Sequence, residues 1–352
     1  MNILELAELS GMNKTEATKD YNAPSGQLKT RIDYVDLAKG FCIILVVFHH
    51  FCVSELGSTN PIIMFLRTFR MPLYFILSGL FFKEYSGLWD FIKRKTNKLL
   101  IPFCFFLLPS LALFFITKRS FDFFNFIYHE VWLEDISINE PIWFLWCLFV
   151  NNIIFYVIIM CSKKIRMLPI RFLLMSFSCV AIGLGGVFLS KQQIQLPLWI
   201  DTALTTTPFF AFGYVLRKYT NFLQTKVLDK YLLFFAIVCF VYVYCFEGKP
   251  FFIVNDMTNC SVFSLYSCGI LGTMGVLFLA RFFNMLPVLS YYGRYSIIIL
   301  CTHMLLKLIL YKIGIQNPWI LLSIVLVSYI VVIPFMRRWL PYVTAQKDVI
   351  KV

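Results

Sequence analysis

The chain has 352 residues, 59% of them hydrophobic and only 14% charged, and its mean hydropathy is +0.76. These values argue against a soluble protein and indicate a polytopic membrane protein. Its net charge of +13 comes from lysines and arginines scattered between apolar runs, a pattern that fits the positive-inside rule and argues against a nucleic-acid partner.

Residues 1–30 are polar and contain no apolar core of a signal peptide, so we predict a flexible cytoplasmic N-terminal segment there. A transmembrane domain is predicted over residues 31–338 and a cytoplasmic tail over 339–352. The eleven cysteines lie mostly within apolar runs and form no CxxC pair. They are interpreted as small packing residues, and no metal site is predicted.

After residue 30, apolar runs of about 17 to 25 residues have the length needed to cross a bilayer. They predict an all-α fold with about ten transmembrane helices, which places both termini on one side. The runs centre on Ile44, Phe75, Phe106, Phe149, Val180, Phe209, Val238, Val276, Leu300 and Val325. With a cytoplasmic N-terminus, 24 of the 32 lysines and arginines fall in cytoplasmic segments and five in external loops, which predicts an N-in/C-in topology.

The first apolar run, "LAKGFCIILVVFHHF", carries a lysine at one end and two histidines at the other. Lys39 and His50 are eleven positions apart, so on a helix they share one face with a rise of about 16 Å between them. His49 is turned about 100° away and is predicted to lie off that face. The predicted topology puts Lys39 at the cytoplasmic mouth and His50 deep in the outer half.

This spacing suits a long donor with an anionic head and a reactive tip, such as a coenzyme A thioester. Lysine binds phosphate as a point charge, and histidine can remove a proton from a hydroxyl near neutral pH. The alternative is structural: Lys39 anchors the helix end, and His50 pairs with a carbonyl or another helix.

The segment "RIDYVDLAKGFCIILVVFHHF" resembles the opening motif of the acyltransferase-3 family, membrane O-acyltransferases that acetylate bacterial surface glycans. In that motif an Arg or Lys precedes an essential His at fixed spacing, which corresponds to Lys39 and His50. Similar segments follow in order: "FRMPLYFILSGLFF", "KRKTNKLLIPF", "PIWFLWCLF", "DTALTTTPFFAFGYVLRK" and "LSYYGRYSIIILCTHML". The resemblance covers residues 31 to about 335. It departs from the family at Lys39, Lys95 and Lys98, where many members have arginine and a bidentate phosphate contact.

The resemblance implies that Arg94, Lys95 and Lys98 bind the donor's phosphates, whereas the positive-inside rule explains the same charges without a ligand. Arg70 is predicted at about the depth of His50. It could stabilise the oxyanion of an acyl-transfer intermediate or form a structural ion pair with Asp201.

His303 is predicted near mid-membrane, either as a second proton carrier or as a core histidine. Asp201 could orient His50 or bind a sugar hydroxyl. Trp143 could offer a flat face to a sugar or anchor its helix at the interface.

The expected function is a multi-pass O-acetyltransferase of the bacterial inner (cytoplasmic) membrane. It would move acetyl from cytoplasmic acetyl-CoA to a hydroxyl of a cell-envelope sugar or polysaccharide, with the bilayer, the coenzyme A thioester and a glycan or lipid-linked sugar as partners. The acyl group could also be succinyl or longer, and His50 could act as general base or acyl acceptor. The alternative function is a transporter or flippase of a lipid-linked sugar.

Overall fold

The computed structural model describes residues 33–118, 123–132, 136, 138–219, 229–248, 250–252 and 254–351. The predicted N-terminal segment, residues 1–30, lies outside them. From Tyr34 onward the chain forms one compact unit. Its described residues fold into helices and loops, with one isolated β-bridge between Phe251 and Asp256. The prediction of an all-α fold is confirmed.

The helices follow the predicted order of apolar runs. The described α-helices of eight or more residues are α1 (Asp33–Leu56), α2 (Pro61–Leu80), α3 (Leu88–Lys95), α4 (Ile101–Lys118), α5 (Trp143–Lys163), α6 (Leu168–Lys191), α7 (Ile200–Leu216), α8 (Leu232–Phe246), α9 (Val262–Phe283), α10 (Pro287–Arg294), α11 (Ser296–Lys312) and α12 (Pro318–Trp339). A π-helical turn, Thr96–Leu100, joins α3 to α4, and a 3-10 turn, Glu140–Ile142, leads into α5.

Six helices in the described part of the chain are long and apolar enough to cross a membrane: α1, α2, α5 with its 3-10 turn, α6, α9 and α12. The number rises to seven if α10 and α11, which meet at an 89° bend, count as one span. The protein is therefore a multi-pass membrane protein. Every centre of the ten predicted runs lies in one of the helices, but α7, with 17 residues, and α8, with 15, are shorter than each of the six.

Local sequence signals explain where several helices begin. Asn60 caps α2 by accepting a hydrogen bond from the backbone N–H of Ile62, and Pro61 occupies the first helical position. Asn317 and Pro318 repeat this arrangement at α12. An Asn cap satisfies an N–H that has no partner within the helix, and proline there loses no hydrogen bond.

Two glycine pairs bring helices into backbone contact. A Cβ atom on Gly79 of α2 would lie 1.9 Å from the carbonyl oxygen of Phe210, and one on Gly213 of α7 would lie 1.9 Å from that of Ile76. Gly40 of α1 and Gly293 of α10 form a second such pair. Only glycine permits this approach, which is typical of helix contacts in membranes. The second pair brings the neighbouring residues Lys39 and Arg294 to one cavity.

The segment after α12 folds back instead of extending as a free tail. The side chain of Asn97, in the π-helical turn, donates a hydrogen bond to the carbonyl of Ile350 at 2.8 Å. It also accepts hydrogen bonds from the backbone N–H groups of Val349 and Ile350. These contacts place the C-terminal residues against the junction of α3 and α4.

Candidate active site

Two cavities lie along the same four helices, α1, α2, α5 and α11. The histidine cavity, about 220 Å³, is lined by Val46, His49, His50, Val53, Arg67, Arg70, Met71, Glu140, Pro141, Trp143, Phe251, Phe252 and Leu300. The basic cavity, about 430 Å³, is lined by Lys39, Tyr74, Leu77, Ser78, Phe81, Tyr85, Arg94, Lys95, Lys98, Leu99, Phe144, Leu145, Leu148, Asn152, Gly293, Arg294, Ser296, Ile297 and Leu300. Lys39 and His50 thus face different cavities from the same helix.

Three imidazole rings form a cluster at the histidine cavity. The ring centre of His50 lies 5.5 Å from that of His49 and 5.4 Å from that of His303. His303 Nδ1 lies 2.8 Å from the carbonyl oxygen of Ile299, and because a carbonyl can only accept, Nδ1 carries the proton. In the neutral ring, His303 Nε2 is then an unprotonated acceptor, and it has no hydrogen-bond partner among the described residues.

The sequence predicts that His49 lies off the face of α1 that His50 occupies. His49 lines the same cavity as His50, and its Nδ1 atom is buried without a partner in the described part of the chain. The angle of about 100° between successive residues of a helix does place the two rings on different faces. The predicted direction of His49 therefore stands, and a single cavity reaches both rings.

Arg70 is buried beside these rings, and two of its guanidinium nitrogens, Nε and Nη1, have no hydrogen-bond partner among the described residues. Arg67, one turn earlier on α2, lies with its guanidinium carbon 5.2 Å from the ring centre of Phe251. A buried guanidinium must face a partner or a wet cavity. The unused N–H donors of Arg70 suit an anionic oxygen of a ligand or an intermediate.

Asp201 does not join this cluster. Its carboxylate accepts hydrogen bonds from the backbone N–H groups of Thr202 and Leu196 at the start of α7. It lines a separate cavity of about 320 Å³ with Asn255 and Asp256. The structure thus supports neither the predicted ion pair with Arg70 nor an orienting contact with His50, because backbone groups hold Asp201 at its own helix end. A role in sugar binding stays a prediction.

Trp143 and Glu140 form another wall of the histidine cavity. Trp143 is buried and lines the cavity, a position that suits the sugar-facing alternative better than an anchor at the lipid interface. Asn139 fixes the preceding turn, since its side chain donates to the carbonyl oxygens of Cys301 at 2.9 Å and Phe106 at 3.3 Å. Sequence reasoning missed Glu140, although an acid beside the "PIWFLW" segment was a visible signal.

The basic cavity brings together Lys39, Arg94, Lys95 and Lys98, the four residues predicted to bind phosphate. Arg294 also lines it and was not predicted as a site residue. These five side chains come from three separate segments of the chain, so it is the folded structure that brings them to one cavity.

Each of the four cations has a distinct setting. Lys39 Nζ lies 4.6 Å from the ring centre of Phe81, and Arg94 pairs with Asp90 at 2.9 Å. Lys98 pairs with Asp348 at 3.0 Å.

Lys95 lies 5.5 Å from the ring centre of Phe91, outside the membrane-spanning helices, and burial there lowers its pKa to about 8.

The fold and the two cavities define a multi-pass membrane protein with a buried, histidine-containing site. The model of the acyltransferase-3 family, described as an acyltransferase domain, matches residues 32–337. The chain belongs to this family and is an acyltransferase, which confirms the resemblance found in the sequence and favours an enzyme over a transporter. No match was found among curated proteins or among solved structures.

Proposed function

We propose that this acyltransferase moves an acetyl group from cytoplasmic acetyl-CoA to a hydroxyl of a cell-envelope sugar or polysaccharide at the bacterial inner membrane. The observation that supports this function is the pair of cavities on one set of helices, one basic and one holding the histidine cluster. We further propose that α4, α7 and α8 also cross the bilayer, giving ten spans with both termini inside. This topology opens the basic cavity toward the cytoplasm.

The basic cavity fits the anionic part of the donor. Lys39, Arg94, Lys95 and Lys98 line one space, and two of them are paired with carboxylates that a phosphate could replace. Acetyl-CoA supplies the acetyl group as an activated thioester. The rise of about 16 Å between Lys39 and His50 along α1 separates the charged end of the site from its reactive end.

At the histidine cavity, His50 removes the proton from the attacking hydroxyl. The hydroxyl oxygen bonds to the acetyl carbonyl carbon, the carbon–sulfur bond breaks, and coenzyme A leaves as a thiolate that takes up a proton. His303, whose Nδ1–H is committed to Ile299, presents a basic Nε2 beside His50 and can receive or return that proton. Arg70 directs unused N–H donors toward the negative charge that develops on the carbonyl oxygen. His50 occupies the same position if it accepts the acyl group transiently, so both routes use these residues.

The remaining wall of the histidine cavity suits a sugar acceptor. Trp143 and Phe251 provide flat apolar faces, and Glu140 provides a carboxylate that can accept from hydroxyl groups. A sugar ring presents both an apolar face and a rim of hydroxyls. The cavity therefore offers chemistry that can hold and orient an acceptor hydroxyl next to His50.

Acetyl transfer from radiolabelled acetyl-CoA to envelope polysaccharide tests this proposal, with membranes that contain matched amounts of each variant. His50→Gln keeps a polar side chain but removes the proton acceptor, and we expect a loss of labelling of about 100-fold or more. Cys52→Ala is the matched control, because Cys52 is buried in the same helix and lines neither cavity. His49→Ala cannot serve as a neutral control, since His49 lines the site.

Full labelling by His50→Gln would contradict the proposed role of the cluster. An absence of labelling in wild-type membranes that contain polysaccharide would contradict the proposed donor and acceptor.

A further inference from the structure

Leu300 of α11 lines both cavities, and no other residue among those described does so. Its side chain is 6% exposed. On the same helix, Ser296 lines the basic cavity, and His303 lies beside His50. The spacing of four and then three residues puts Ser296, Leu300 and His303 on one face. Leu300 therefore lies at the boundary between the two spaces.

The residues around this boundary are mostly apolar. Tyr74 and Phe144 line the basic cavity, and their ring centres are 5.3 Å apart. Met71, one turn from Tyr74 on α2, lines the histidine cavity. On α1, the residues Cys42 and Ile43 are fully buried between Lys39 and His50. A donor whose charged end stays at Lys39 must pass this layer to bring its thioester to His50.

We propose that Leu300 is a specificity-determining residue that selects the acyl group by controlling passage between the basic cavity and the histidine cavity. This inference rests on the proposed function and deepens it. A narrow apolar passage admits a slender, uncharged acyl thioester. A branched acyl group is too wide for this passage. An acyl group with a terminal carboxylate is disfavoured because removing that charge from water costs free energy. Acetyl passes, whereas isobutyryl and succinyl are disfavoured.

The same layer protects the thioester from water. If water reaches the thioester in place of an acceptor hydroxyl, its oxygen bonds to the carbonyl carbon and the carbon–sulfur bond breaks. The products are a carboxylic acid and coenzyme A, whose leaving thiolate takes up the proton that the water loses. A larger opening at Leu300 should therefore increase this hydrolysis while it relaxes acyl selection.

The test compares Leu300→Ala and Leu300→Phe with the wild type. Ile298→Ala is the matched control, because Ile298 is fully buried in the same helix, lines neither cavity and loses the same number of carbon atoms. Transfer to envelope polysaccharide is measured in membranes with acetyl-, butyryl-, isobutyryl- and succinyl-CoA. Hydrolysis of acetyl-CoA and donor binding are measured on the purified full chain in nanodiscs.

For Leu300→Ala we expect the rate with isobutyryl-CoA, relative to acetyl-CoA, to rise about tenfold, the size of effect that one methyl group has in a fitted pocket. The unbranched butyryl donor should gain less, and acetyl-CoA hydrolysis should increase. Leu300→Phe should bind acetyl-CoA as the wild type does and lose transfer, because binding occurs before the passage.

The inference is overturned if the wild type transfers acetyl but Leu300→Ala keeps donor ratios and hydrolysis within twofold of Ile298→Ala. It is equally overturned if the wild type transfers isobutyryl or succinyl as readily as acetyl. If the wild type transfers none of the four acyl groups to polysaccharide, the proposed function fails and the inference fails with it.

Discussion

The two cavities differ in whether their charged groups have a partner in the protein. In the basic cavity Arg94 and Lys98 each pair with a carboxylate that lies near the surface. Arg70 and His49 in the histidine cavity, and His303 beside His50, keep buried polar atoms that have no partner in the described part of the chain. Buried polar groups are normally satisfied, and each exception calls for an explanation.

We interpret this difference as a division of roles. The basic cavity binds and releases the donor, and the histidine cavity carries out acyl transfer. Pairs that are exposed to solvent contribute little stability, so a phosphate can replace a carboxylate at Arg94 or Lys98 at small cost. Unused donors and acceptors in a buried site lower stability but need little rearrangement when charge develops on a reacting group. We therefore expect substitutions in the histidine cavity to lower the rate of transfer and those in the basic cavity to weaken donor binding.

The largest effect is expected for Arg70→Gln. If the unused N–H donors of Arg70 stabilise the developing oxyanion, as we propose, kcat should fall about 100- to 1,000-fold while the KM for acetyl-CoA changes little. Steady-state acetyl transfer measures both constants. Arg281→Gln is the control, because Arg281 pairs with Asp229 and lines neither cavity. A rise in the KM for acetyl-CoA at constant kcat would show that Arg70 contributes to donor binding. The two cavities would then not differ in role.

Sequence reasoning located the parts of the site but not the space between them. Lys39 and His50 stand out because eleven residues of helix fix their spacing and relative direction. Local periodicity likewise finds the apolar runs, since each helix buries its own side chains. A single helix cannot show which neighbours flank it, so the sequence does not reveal that His49 shares the cavity of His50 or that Glu140 and Arg294 line the two cavities. Those three depend on contacts between distant segments.

The next effect concerns Lys39 in the basic cavity. Lys39→Met keeps the length and apolar stem of the side chain and removes its charge. We expect the Kd for acetyl-CoA to rise about tenfold with a smaller change in kcat, which is the size of one charge-assisted contact. Lys163→Met is the matched control, because Lys163 pairs with Glu84 and lines neither cavity. Equal increases in the Kd for acetyl-CoA in the two variants would show that the loss of one positive charge, wherever it lies, accounts for the weaker binding.

The pH dependence of donor binding provides a finer test. Because burial lowers the pKa of Lys95 to about 8, this ammonium is charged at pH 7 and largely neutral at pH 9. A bound phosphate favours the charged form, so binding takes up a proton as pH rises through this range. The Kd for acetyl-CoA should increase severalfold from pH 7 to pH 9. Lys95→Arg, which stays charged, should flatten this profile, and an unchanged profile would exclude Lys95 as its source.

The smallest effect tests whether the C-terminal segment competes with the donor. Asp348 pairs with Lys98, and the backbone next to it is held by Asn97, so under the proposed function its carboxylate would compete with a phosphate for Lys98. Both partners are exposed, so the pair is weak and screened by salt. Asp348→Asn should lower the Kd for acetyl-CoA about two- to threefold at low ionic strength, with no difference in high salt. The control is Asp229→Asn, because Asp229 pairs with Arg281 and lines neither cavity. Weaker binding by Asp348→Asn would mean that this carboxylate positions Lys98 for the donor, and the pair would then be part of the binding site.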